Sequence, residues 1–176
     1  MQRAVEILAN IYERLYKPQE TAPPPSDKPI LLFSEGLVLD VNTTTRADVQ
    51  RGLGMAFSYP SQGWHTYGVR GTNDARLLLS IFYSGEQLAS AEIYVPKVER
   101  APRLEPQDAH FCLVPGEIEV GAPATSLPGH FGRMQGMPTE LGPYAEIFEA
   151  RFPGGAAYAM GNDGLIERLA IYTLKQ

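Results

Sequence analysis

Cysteine is nearly missing from this 176-residue chain, occurring once, as Cys112. One thiol excludes an intramolecular disulfide framework and a four-thiolate zinc site within one chain, and it suits a reducing compartment. Histidine occurs three times, and His65 and His130 fall in no His-x-x-x-His or Cys-x-x-Cys spacing, so neither a metal nor a cofactor is expected. Glycine pairs Gly52 and Gly54 lack the third glycine of a dinucleotide loop, and no Gly-x-Ser-x-Gly elbow or phosphate loop is present. No run of eighteen apolar residues occurs, which removes a membrane-spanning helix. The first residues, interrupted by Arg3, Glu6, Glu13 and Arg14, lack the apolar run of a signal peptide, so a cytoplasmic protein is expected. Positive charge is also short: 15 Lys and Arg face 20 Asp and Glu, a net charge of −5. That balance repels phosphate backbones and anionic lipid, leaving nucleic acid and membrane surfaces as poor partners.

What is present is an ordinary globular composition, 44% hydrophobic and 20% charged, sufficient for a buried core. Val5, Leu8, Ile11, Tyr12 and Leu15 form one stripe of an amphipathic helix over residues 1–17. Residues 18–29 then hold five prolines and can neither continue that helix nor join a sheet. As a polyproline-like arm they reach roughly 35 Å, enough to carry the helix to a second copy, so a homodimer built by exchange of this helix is expected.

From Ile30 onward, short apolar runs bounded by Gly, Pro and Asn indicate a sheet-rich α+β body. Strands are expected at 30–33, 37–41, 64–69, 77–83, 89–95, 110–114, 118–120, 144–152, 156–160 and 166–174. Thr45 followed by Asp48 reads as a capping box opening a short helix that ends near Gly52 to Gly54. Gly161-Asn162-Asp163-Gly164 reads as a tight hairpin turn.

The chain is also self-similar. Leu53-Gly54 recurs as Phe131-Gly132, and Leu88 to Tyr94 recurs as Ile166 to Tyr172, both 78 residues later (131 − 53 = 78; 172 − 94 = 78). Two copies of a helix, loop and antiparallel-sheet unit are therefore expected at 37–96 and 115–176, separated by a joint at 97–114. Pro128 falls where the first copy has Gln50. The order Thr45-x-x-x-Val49-x-x-x-Leu53-Gly54, Trp64-x-x-Tyr67 and Phe82-x-x-Gly85 resembles the small domain shared by the β-lactamase inhibitor protein and the BamE-type small lipoproteins. That resemblance implies one curved sheet, short helices packed on one face, and a concave face that binds a protein.

Aromatic residues carry the functional expectation. Tyr94 matches Tyr172 and, allowing a small loop slip, Tyr67 matches Tyr144, while Trp64 opens the aromatic strand. Rings with polar tips along a sheet suit protein recognition, so the chain reads as a non-catalytic module binding a protein through Trp64, Tyr67, Tyr94, Tyr144 and Tyr172. An inhibitor or immunity protein that neutralises a toxin or enzyme is one alternative, since acidic charge steers toward a basic partner. A small hydrolase using His110 and Cys112, two apart on one strand face, is the other.

Overall fold

The fold is given by a computed structural model, which describes residues 23–58, 63–97, 104–134 and 144–174. The expected N-terminal helix and the first part of the proline arm lie outside the described residues. The body is α+β. Eight antiparallel strands form the main sheet: β3 (Phe57–Ser58), β4 (Trp64–Arg70), β5 (Arg76–Ser84), β6 (Gln87–Tyr94), β8 (Gly132–Arg133), β9 (Glu146–Phe152), β10 (Gly155–Asn162) and β11 (Leu165–Thr173). Their order is β3-β4-β5-β6-β11-β10-β9-β8, so β6 and β11 meet at the centre. A second sheet, ordered β2-β1-β7, comprises β1 (Leu31–Ser34), β2 (Leu37–Leu39) and β7 (Cys112–Val114).

The helix α1 (Arg46–Leu53) starts where the sequence puts it. Thr45 Oγ1 accepts the Asp48 amide at 3.3 Å while Asp48 Oδ2 accepts the Thr45 amide at 2.9 Å, a reciprocal capping box. Those hydrogen bonds, first from the Thr45 backbone and then from its side chain, hold the Asp48 carboxyl below its ordinary pKa. Gly54, at φ 75°, ends the helix in a region that side chains with a Cβ disfavour. The buried face of α1, Val49 and Leu53, packs with Leu32, Leu39 and Leu113 of the small sheet against Leu79, Ile81, Ile93, Leu169 and Ile171 of the main one. Each of the fully buried aliphatic side chains stabilises the fold by about 1.5–3 kcal/mol. Helix and small sheet therefore cover one face of the main sheet and leave the other to different contacts.

Three expectations need correction. Residues 30–41 and 110–114 do not extend a single sheet: β1 pairs with β2 on one side and β7 on the other, and their inward Leu32, Leu39 and Leu113 make a separate layer. The strand expected over 110–114 is present in the joint as β7, and Gln107 also ties to β4 through its amide to the Gly68 carbonyl at 2.9 Å. Where a second short helix was expected there is one 3₁₀ turn, Ala124–Ser126, because Pro123 and Pro128 flank it and proline cannot donate within a helix. The two-residue edge strands β3 and β8 were not anticipated.

Several contacts recur at one spacing. Arg46 donates its amide to Glu86 O and Ala124 its amide to Gly164 O, both at 2.8 Å, each 78 residues apart (124 − 46 = 78; 164 − 86 = 78). Leu88 to Thr44 and Ile166 to Ala122, both 2.9 Å, repeat that spacing. The β5–β6 register shifts between Phe82 and Tyr83, and the β10–β11 register shifts between Met160 and Gly161, again 78 apart (160 − 82 = 78).

Candidate functional site

Opposite residues on antiparallel strands share a face, so the registers map the side away from α1. One row runs Trp64, Phe82, Ser90, Tyr172, Ala156, Arg151. Beside it lie Thr66, Ser80, Glu92, Ala170, Tyr158 and Glu149, and then Gly68, Leu78, Tyr94, Arg168, Met160 and Ile147. Five aromatic rings and two arginines thus lie on this face, with Tyr94, Tyr172 and Arg168 on the two central strands.

Glu92 occupies the middle of that surface and is only 6% exposed. Ala170 stands directly opposite it on β11, and its small side chain lets the two flanking residues of β11 lean over and reach the carboxylate. Arg168 donates to Glu92 Oε2 and the Tyr172 hydroxyl donates to Oε1, so both oxygens are engaged. The Arg168 guanidinium also lies 4.8 Å from the Tyr94 ring centroid, and Tyr172 meets Tyr158 edge-on at 5.5 Å. Tyr94 in turn shares a hydrogen bond with Ser80 Oγ at 3.0 Å, and Ser80 Oγ one with Thr66 Oγ1 at 3.1 Å.

The electrostatics fix the protonation states. Burial pushes the Tyr172 hydroxyl far above its ordinary pKa, and the Glu92 charge and hydrogen bond add to that, so it remains a donor. Burial opposes the Arg168 charge, but Glu92 and the surrounding tyrosines outweigh it and the group stays cationic. One oxygen of the carboxylate is thus committed to a guanidinium and the other to a phenol. The cluster pins Tyr94 and Tyr172 in place.

Of the residues singled out from the sequence, Tyr94, Tyr172 and Trp64 lie on this face, Trp64 tilted against Phe82 at 5.6 Å between centroids. Tyr67 does not. It is 3% exposed, points to the opposite face and donates its hydroxyl to the Gly54 carbonyl at 3.1 Å, below the end of α1. Tyr144 precedes β9 and is buried against Ile147 and Met160, with the Lys97 ammonium 4.5 Å from its ring centroid. The slip that matches these two tyrosines is not a match of register: Tyr67 pairs with Leu79, whereas Tyr144 lies outside the β9 ladder. Phe82, Tyr158, Glu92 and Arg168 were missed. The available signal was Glu92, the one charge in LASAEIY, together with Arg168, the one cation in IERLAIY, inside the two apolar strands ending in Ile-Tyr.

His110 precedes β7 and is exposed, and among the described residues no hydrogen bond joins it to Cys112. Burial first, then the carboxylates of Glu119 and Glu117, push the Cys112 thiol up, away from the thiolate a nucleophile needs. His65 stacks edge-on with Tyr83 at 5.2 Å on the core side. Among the described residues no group of three or more His, Cys, Asp or Glu is placed to hold a metal ion, and no helix is long and apolar enough to cross a membrane. Compared with protein-family models, curated proteins and solved structures, the chain matches none.

Proposed function

We propose that this protein is a non-catalytic binding module, built from two tandem units at about 37–96 and 115–176, that recognises a protein partner through the sheet face opposite α1. The recurrence of hydrogen bonds and register shifts at a spacing of 78 supports the tandem reading. The observation that carries the binding assignment is the convergence of Trp64, Phe82, Tyr94, Tyr158, Tyr172 and Arg168 on that face. Tyrosine, tryptophan and arginine dominate binding energy at protein interfaces because they present large rigid areas with polar tips. Holding Tyr94 and Tyr172 through the Glu92 cluster reduces the ordering cost on association. A thiol pushed above its ordinary pKa argues against the hydrolase alternative.

The test is affinity capture from a soluble extract of the source cells with the native protein and a Trp64→Ala/Phe82→Ala variant. Phe33→Ala/Val38→Ala, on the outward face of the small sheet, serves as the control. A partner held by the native and control proteins and lost from the Trp64/Phe82 variant is expected. Equal recovery on all three, with the variant still folded, would refute the assignment.

A further inference from the structure

Where β5 and β11 begin, segments from before and after residue 100 line a half-open cavity of about 510 Å³, within the size range of ligand pockets. Leu77, Val95, Val120 and Ile166 form its apolar lining, and Leu165 at the same site is 49% exposed. Three carboxylates, Glu117, Glu119 and Glu167, share that lining, and none of the lining residues is Lys, Arg or His. Thr72 Oγ1 donates to Glu119 at 2.7 Å, tying the β4–β5 turn to the 117–122 segment. Glu167 is engaged by Lys97 and by Asn162 Nδ2. Glu117, held at φ 51°, has no partner among the described residues.

The excess negative charge is felt beyond the cavity, since Glu119 and Glu117 add to burial in raising the Cys112 thiol. An apolar recess with uncompensated carboxylates favours an apolar group that arrives with positive charge beside it. Glu167 on β11 is neutralised by Lys97, so the uncompensated charges are Glu117 and Glu119, two residues apart on one wall. A segment entering the recess meets uncompensated negative charge along the 117–119 wall, where Glu117 and Glu119 have no cationic partner among the described residues.

We infer that this cavity receives an aliphatic side chain flanked by lysine or arginine, presented by a basic segment of a protein partner. The site is distinct from the aromatic face and stands without it. The probe is the peptide acetyl-Gly-Lys-Leu-Lys-Gly-amide, titrated into the full-length ¹⁵N-labelled protein and followed by NMR. Saturable shifts at the amides of Gly121, Ala122 and Leu165 are expected. Binding should weaken about tenfold or more in Glu117→Gln/Glu119→Gln. The substitution Glu119→Gln removes the charge and spares the tie to the β4–β5 turn, because an amide oxygen can still accept from the Thr72 hydroxyl. The thiol of Cys112 gives an independent reading: bound cation should lower its pKa, as should the double substitution. Absence of saturable shifts, equal binding by the analogue with Glu in place of both Lys, or unchanged affinity in the double variant would overturn the inference.

Discussion

Removing one member of the Glu92–Arg168 pair should be among the most damaging single changes in the protein. Glu92 is 6% exposed, and it accepts from both Arg168 and Tyr172, so Glu92→Ala takes from a half-buried guanidinium and a half-buried phenol the carboxylate they share. Breaking a buried ion pair from one side typically costs about 3–5 kcal/mol. For a chain of this length that corresponds to a fall in Tm of roughly 10 °C. Arg168→Ala should cost a similar amount, since it strands the carboxylate and also uncovers the Tyr94 ring. The double variant Glu92→Leu/Arg168→Met replaces both charges with apolar side chains of similar size, and it should recover most of the lost stability. Urea unfolding at pH 7 of the native protein, both single variants and the double one gives the coupling directly. Single variants within about 0.5 kcal/mol of the native protein would refute the reasoning, because surface-like pairs behave that way.

Further outcomes follow from local geometry. Gly161→Ala would place a Cβ 1.8 Å from the Leu165 carbonyl oxygen, a backbone atom that cannot step aside, so a loss of about 3 kcal/mol or more is expected by thermal unfolding. Gly85→Ala, at φ +63° with open space around it, should cost only about 1 kcal/mol. Thr45→Ala removes the cap of α1 and should cost about 1 kcal/mol, with Thr45→Asn restoring most of it. His65 is held below its ordinary pKa of 6.5 by burial and then by Arg46, so below that pH the unfolded chain takes up a proton the folded chain resists. Its contribution to stability is therefore level above pH 6.5 and falls as the pH drops through the folded value. The stability difference between native protein and His65→Gln, measured from pH 7.5 to 5, should shrink toward low pH, and a constant difference would contradict this.

Local chemistry made much of the framework readable. Thr45 with Asp48 marks the start of α1, and Gly161 to Gly164 marks the β10–β11 turn, because capping and positive φ depend on neighbours along the chain. The division into two sheets was not readable: β1 and β7 carry the same apolar alternation as the strands of the main sheet, and only long-range pairing separates them. Tyr67 and Tyr94 looked alike for the same reason, since both faces of these strands carry apolar residues, yet one lies under α1 and the other beside Arg168. Glu92 and Arg168 are far apart in sequence and meet only because β6 and β11 are neighbours. Pattern reading within a single strand cannot supply that adjacency.

The affinity of a captured partner for the native protein and for Trp64→Ala/Phe82→Ala, measured by calorimetry, bears most directly on the proposed recognition face. Interface residues of this kind contribute about 2 kcal/mol or more, so affinity should fall about thirtyfold while the unfolding profile stays close to native. Affinities agreeing within about twofold, a difference below roughly 0.4 kcal/mol, would contradict recognition through this face.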